Sequence, residues 1–285
     1  MFNGGAMLIK CWGSRGSIPV SGQEYAKYGG DTTCLEIRTK DDRMVIVDGG
    51  TGIRRLGNRL IAEQRLTYDI LFTHAHWDHL MGFPFFKPIY HEETHIRMQG
   101  CPFAQKFVET MISKVLAPPN FPVRYEDLKA RFSYEPVCVE RMEMGTLSAI
   151  PISLSHPNQG NGYKFVEDGG SFVFLTDNEL DFHHPGGRSF EEYRRFCEGA
   201  DLLIHDAEFT PREYESTRQW GHTVYTRALD LALEAGVKRF GLFHTNQDRT
   251  DEQVDAMVED CRRLVEEKGS GLEVFAVGAD MCFEV

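Results

Sequence analysis

The stretch Thr73-His74-Ala75-His76-Trp77-Asp78-His79 decides how this chain is read. Three histidines and one aspartate fall within the six positions from His74 to His79, directly after the apolar run Ile70 to Phe72. Imidazole and carboxylate are donors that suit zinc and similar borderline cations. A single tetrahedral ion needs four donors, but four donors this close along a chain wrap one ion poorly. Shared between two neighbouring ions, they are easier to place. The segment therefore predicts half of a two-metal site, and with it hydrolytic chemistry.

Working outward, the same pattern recurs at the ends of other apolar runs. Met44–Val47 runs into Asp48, Thr146–Leu154 into His156, Ser171–Leu175 into Asp177, Leu202–Ile204 into His205-Asp206, and Lys238–Phe243 into His244. Such runs read as strands. Sites in α/β sheets gather at the carboxyl ends of strands, so these endings predict one shared cleft at a sheet edge. Further strands are expected at Met7–Trp12, Cys34–Thr39 and Leu272–Val277. Helices are expected at Ile53–Gln64, Val224–Glu234 and Glu252–Lys268. Phe85–Pro136 reads as an irregular insert with an amphipathic helix around Phe103–Leu116, roofing the cleft of one domain that spans residues 1–285.

Composition narrows the partners. The 285 residues carry a net charge of −12, and no cluster of Lys and Arg stands out. Nucleic-acid binders usually present a basic stripe to the phosphates. Long nucleic acid is therefore disfavoured as a substrate, whereas a local metal charge can still hold a small anion. No apolar run is long enough to span a membrane. The amino terminus lacks a basic segment followed by a long apolar core, so no signal peptide is expected. Seven scattered cysteines without CxxC spacing read as reduced thiols in a cytoplasmic protein. A monomer and a homodimer both fit.

With His74, His76, Asp78 and His79 in an HxHxDH pattern, preceded by Asp48 and followed by His156, Asp177 and His244, the chain resembles the metallo-β-lactamase superfamily over nearly its whole length. The resemblance implies an α/β fold, the αββα sandwich of two sheets flanked by helices. It also implies a ligand set. Metal one would take His74, His76 and His156; metal two would take Asp78, His79 and His244; Asp177 would bridge them. Asp48 would orient ligands without binding metal. Diiron relatives usually carry Glu at the position of His76, so histidine there implies zinc, with manganese or iron as the other candidates.

A second motif, Leu203-Ile204-His205-Asp206-Ala207-Glu208-Phe209-Thr210 followed by Trp220-Gly221-His222-Thr223, resembles the tRNase Z-like phosphodiesterase branch. There an acidic residue and a downstream histidine form a proton relay, which assigns those roles to Asp206 and His222. A phosphodiester needs its leaving oxygen protonated, and a carboxylate-held histidine can supply that proton. Gly13-Ser14-Arg15-Gly16-Ser17-Ile18-Pro19, Tyr28–Cys34 and Phe83-Pro84-Phe85-Phe86 resemble a bacterial subgroup described as cyclic-nucleotide phosphodiesterase-like. Arg15 either clamps a phosphate or caps a turn, and Phe85 either stacks on a base or packs under the insert. His205 reads as structural, His91 and His95 as solvent-exposed, and His183-His184 as loop residues near the substrate mouth. The basic arm by which tRNase Z grips tRNA is missing.

The resulting expectation is a binuclear metal-dependent phosphodiesterase for a small phosphodiester such as a cyclic nucleotide. In it Asp78 both binds metal and positions the nucleophile. Two rivals stand beside it: a thioesterase or lactonase on the same site, and a non-catalytic metal-bound nucleotide sensor.

Overall fold

A computed structural model describes residues 6–100, 110, 112–119, 121–136 and 140–285. In Gly170–Leu175, Phe172 and Phe174 enter one buried cluster while Val173 and Leu175 enter another. In Met44–Val47, Val45 and Val47 part from Met44 and Ile46 in the same way. This is the period-two alternation of strands covered on both faces, which is why these runs are apolar throughout.

The strands form two seven-stranded sheets. The first lays β1 (Leu8–Gly13), β2 (Cys34–Arg38), β3 (Met44–Val47), β4 (Thr67–Leu71), β5 (His95–Gly100) and β6 (Arg131–Pro136) side by side in chain order. The second does likewise with β7 (Met142–Met144), β8 (Leu147–Ser153), β9 (Asn161–Glu167), β10 (Gly170–Leu175), β11 (Leu202–Asp206), β12 (Arg239–Phe243) and β13 (Glu273–Ala276). The chain then returns to the first sheet, where β14 (Cys282–Glu284) pairs antiparallel with β1. The helices include α1 (Ile53–Ala62), α2 (Trp77–Leu80), α3 (Phe190–Cys197), α4 (Pro211–Thr217), α5 (Tyr225–Glu234) and α6 (Asp251–Glu267).

Three apolar clusters stack the layers. Side chains of both sheets, such as Ile37, Val45, Phe165 and Phe174, meet in the central one. Helices α3, α5 and α6 cover the outer face of the second sheet through Tyr193, Leu229 and Val258. Helix α1 covers the first through Leu56 and Leu60. The order is helix, sheet, sheet, helix, as the sequence resemblance implied. Strands β3 and β4 run parallel, as do β10, β11 and β12, so within each sheet those carboxyl ends share an edge.

The expectation of an irregular Phe85–Pro136 insert is corrected. Strands β5 and β6 continue the first sheet in parallel register beyond β4. Their apolar content is thin (Ile96 and Met98 in one, Phe132 and Tyr134 in the other), as suits strands that extend a sheet towards its edge. The helix expected around Phe103–Leu116 lies largely outside the described residues; 112–115 are helical. His91 and His95 do not share a helix, because His95 opens β5 and is exposed. Among the described residues no helix is long and apolar enough to cross a membrane. Cys11, Cys34, Cys197, Cys261 and Cys282 are free thiols.

Candidate metal centre

The turn that follows three strands is tight in the same way. Asp48 after β3, Asp177 after β10 and His244 after β12 have φ of 64°, 51° and 57°. These are left-handed conformations, which only Gly, Asn, Asp and His visit with any frequency. At each, the backbone leaves its strand abruptly and the side chain is left at the sheet edge.

Two donor groups result. His74, His76, His156 and Asp177 form one; Asp78, His79, Asp177 and His244 form the other, with the ligand atoms of each within 4.8 Å of one another. Asp177 belongs to both. Its Oδ2 lies 3.5 Å from His74 Nε2 and 3.3 Å from His244 Nε2, and its Oδ1 lies 3.2 Å from His79 Nε2. Asp78 Oδ2 lies 3.0 Å from His244 Nε2 and accepts the Ser17 N–H at 2.9 Å.

The other ring nitrogens are held from behind. Asp48 Oδ2 lies 2.8 Å from His79 Nδ1, and Asp48 also accepts the N–H and hydroxyl of Thr73 at 2.7 Å each. The Gly221 carbonyl lies 3.0 Å from His156 Nδ1, and Glu208 Oε2 lies 2.9 Å from His244 Nδ1. Each contact fixes a tautomer and turns the opposite nitrogen inward, as metal-binding histidines require.

The donors suit divalent cations. His74 Nε2 and His79 Nε2 are buried and lack a hydrogen-bond partner, a costly arrangement unless something else engages them. Burial pushes the His74 imidazole well down, so that it stays neutral and able to donate a lone pair. Burial also opposes charge on His79 and His244. Yet Asp78 and Asp177 beside the first, and Asp177, Asp78 and Glu208 beside the second, raise both well above the ordinary histidine value. So concentrated a negative charge inside a protein calls for cations.

Asp206 and His222 meet beside the second group. His222 Nδ1 lies 2.6 Å from Asp206 Oδ2, and its ring stacks on His244 with centroids 4.7 Å apart. Asp206 Oδ1 accepts the N–H groups of Glu208 at 3.0 Å and Thr223 at 3.2 Å. Burial disfavours the imidazolium of His222, but the Glu208 and Asp206 carboxylates outweigh it and push the ring up to about 9.

Not every expected site residue reaches the cleft. Arg15 is fully buried, and its guanidinium donates to the carbonyls of Asn246 at 3.1 Å, Arg249 at 2.9 Å and Gly29 at 3.0 Å. Its cation ties loops together, so the phosphate-clamp expectation is withdrawn. The loop itself does touch the site: any Cβ on Gly16 would fall 2.4 Å from His244 Nδ1, and the next residue, Ser17, holds Asp78. Phe85 is exposed and edge-on to Phe121 at 5.6 Å, and among the described residues its ring contacts include no site ligand. His205 is buried against the Asp206 carbonyl at 2.7 Å and Asn178 Nδ2 at 3.1 Å. His184 is a buried partner of Glu179 at 2.7 Å and does not line a substrate mouth; its neighbour His183 is exposed.

Two carboxylates escaped the sequence reading. Glu208 supports His244, accepts Asn246 Nδ2 at 2.8 Å, and lies 3.4 Å from His222 Nδ1. Its signal was the spacing of two from Asp206, which in extended chain points both side chains the same way. Glu179 accepts Gly221 N–H at 2.9 Å, Gln219 N–H at 2.7 Å and Tyr214 OH at 2.6 Å. It thereby holds the loop that carries His222. Nothing local marked it, because those partners lie 35 to 42 residues away.

Comparison with known proteins fits this geometry. Residues 43–245 match the profile described as the β-lactamase superfamily domain. A ribonuclease Z from Streptococcus gordonii is 23% identical over 278 residues, covering 81% of this chain and 88% of that protein. The Bacillus subtilis metallo-β-lactamase fold protein YhfI superposes with a TM-score of 0.72 at 16% identity, covering 98% of this chain and 99% of that one. A diphosphatase of the PhnP family superposes with a TM-score of 0.67 at 16% identity, covering 98% of each chain. The two structural likenesses speak for the fold, and the profile and the ribonuclease speak for descent. The chain belongs to the metallo-β-lactamase superfamily of metal-dependent hydrolases, on its tRNase Z-like branch.

Proposed function

We propose that the protein is a phosphodiesterase that uses two divalent ions, zinc foremost, on a small phosphodiester such as a cyclic nucleotide. The observation that carries this reading is the Asp206–His222 pair, 2.6 Å apart and stacked on His244. A thiolate leaving a thioester has little use for a proton donor placed beside the metals, whereas an alkoxide leaving a phosphorus does.

His74, His76, His156 and Asp177 would hold one ion, and Asp78, His79, Asp177 and His244 the other. Bound there, two ions would polarise the phosphoryl oxygens and lower the pKa of a water towards ~7. Three imidazoles in the first group favour zinc, and manganese or iron are the alternatives. Asp48, Glu208 and the Gly221 carbonyl keep the ligand rings aimed. Asp206 holds His222 through Nδ1, which leaves Nε2 to hand a proton to the departing oxygen. Asp78, tied back by the Ser17 N–H, stands where it can also orient the nucleophile. The net charge of −12 opposes a long polyanion and supports a small substrate. A small substrate also fits the likeness to a PhnP-family diphosphatase, while the ribonuclease Z relative makes precursor tRNA the control substrate.

Hydrolysis of bis-p-nitrophenyl phosphate by Zn²⁺- or Mn²⁺-loaded protein tests the chemistry, and no turnover at full metal occupancy would sink it. Precursor tRNA cleaved faster than every small phosphodiester would overturn the substrate size. Thioester or lactone turnover that survives His222→Ala, with cyclic nucleotides untouched by the wild type, would hand the site to the ester-hydrolase reading.

A further inference from the structure

Few large apolar side chains of this protein face solvent. Among the described residues they are Ile18, Trp77, Phe85, Tyr90 and Trp220. Three of them adjoin residues of the metal cleft. Ile18 follows Ser17, which donates to Asp78. Trp77 lies between the ligands His76 and Asp78, and Trp220 precedes Gly221-His222. Trp77 is 60% and Trp220 63% exposed, although an indole is the largest apolar body a chain can hide.

A short path of contacts joins the two positions. His76 Nδ1 lies 3.0 Å from His156 Nε2, and His156 Nδ1 lies 3.0 Å from the Gly221 carbonyl. Gly221 presses so closely on that ring that a Cβ there would fall 2.0 Å from His156 Nδ1. Trp77 is therefore rooted one residue, about 3.8 Å of chain, from the imidazole of His76, and Trp220 one residue from Gly221, whose carbonyl touches the imidazole of His156 in the same donor group. Among the described residues, neither ring contacts another aromatic side chain. Exposed apolar surface gathered at a charged cleft marks a binding surface.

We infer that Trp77 and Trp220 form the subsite for a planar aromatic group carried on the phosphoryl ester, a nucleobase being the fitting class. This rests on the phosphodiesterase reading for the phosphate half of the ligand only. An aromatic face stacks on any base, and a neutral ring would counter the repulsion that an acidic surface imposes on bare phosphate. Trp12, the third tryptophan, is buried beneath Lys10, Arg55 and Arg59, so the two cleft indoles dominate any ligand-dependent change in tryptophan fluorescence.

The test titrates zinc-loaded protein with adenosine 5′-monophosphate and with ribose 5-phosphate. The first should quench tryptophan fluorescence, and the second should leave it unchanged. By calorimetry, Trp77→Ala and Trp220→Ala should each weaken adenosine 5′-monophosphate binding roughly fivefold or more, the scale of one base stack, and Trp→Phe at either position should restore most of it. Equal binding of both probes would overturn the inference, as would unchanged affinity in both alanine variants. So would a wild-type dimer, seen by sedimentation, that both variants dissociate without loss of nucleotide affinity. Binding needs no turnover. Ring-dependent binding without hydrolysis of bis-p-nitrophenyl phosphate would refute the phosphodiesterase and keep the subsite, and hydrolysis without ring preference would do the reverse.

Discussion

A histidine that binds through one nitrogen depends on what holds the other. His79 has Asp48, His156 has the Gly221 carbonyl, and His244 has Glu208. Replacing Glu208 by Ala should free the His244 ring to rotate and weaken zinc binding tenfold to a hundredfold. Competition against a chromogenic chelator measures this, and wild-type affinity in the variant would refute the role. His222→Ala should leave the zinc content intact. It should still slow cyclic-nucleotide hydrolysis by roughly 10²- to 10⁴-fold, and do much less to bis-p-nitrophenyl phosphate, whose leaving group needs no proton. Equal loss on both substrates would count against proton transfer. At this scale the site was largely legible, because Asp48, His156, Asp177 and His244 each end an apolar run. Arg15 misled because a cation in a Gly/Ser-rich turn looks the same whether it faces a ligand or three carbonyls.

At the scale of elements, the loop between α4 and α5 is held by one buried carboxylate. Glu179 takes the N–H groups of Gln219 and Gly221, the Tyr214 hydroxyl and His184. Glu179→Gln would turn an amide N–H₂ towards donors and loosen the loop. We expect the folded protein to keep its circular dichroism yet lose alkoxide-ester turnover about tenfold or more, in proportion to the His222→Ala defect and not adding to it. Full additivity in the double variant would show that Glu179 acts elsewhere. The strands of the two parallel blocks could be read because burial on both faces makes them continuous apolar runs. Strands β5, β6 and β14 could not, since strands of three to six residues at or next to a sheet edge carry too few apolar positions to set a period. Helix α3 was missed despite its Ser189–Glu192 capping box, because its eight residues bury only Tyr193 and Cys197.

Across the whole molecule, two sheets meet at a cleft whose carboxylates have, among the described residues, only imidazoles to answer them. Asp177 is 1% and Asp78 5% exposed, and their neighbours are imidazoles. Metal should therefore stabilise the fold as well as arm it. A ligand held at a thousand times its dissociation constant contributes about 4 kcal/mol, which for a chain of this size corresponds to roughly 10 °C in Tm. Removal of metal with a chelator should lower Tm by that order and excess zinc should restore it; identical melting curves would refute the link.

The left-handed residues at Asp48, Asp177 and His244 bear on how such a molecule could decay. Any of the three costs its backbone about 1–2 kcal/mol relative to glycine, and Asp48 and Asp177 add buried charge. A library selected for heat resistance alone, grown without added zinc, should drift to glycine or asparagine at these positions first. Sequencing such survivors would show the drift, and depletion of those substitutions would contradict it. Selection for durability would then erase the chemistry while leaving both sheets intact, yielding a sturdy descendant with the same silhouette and no trade.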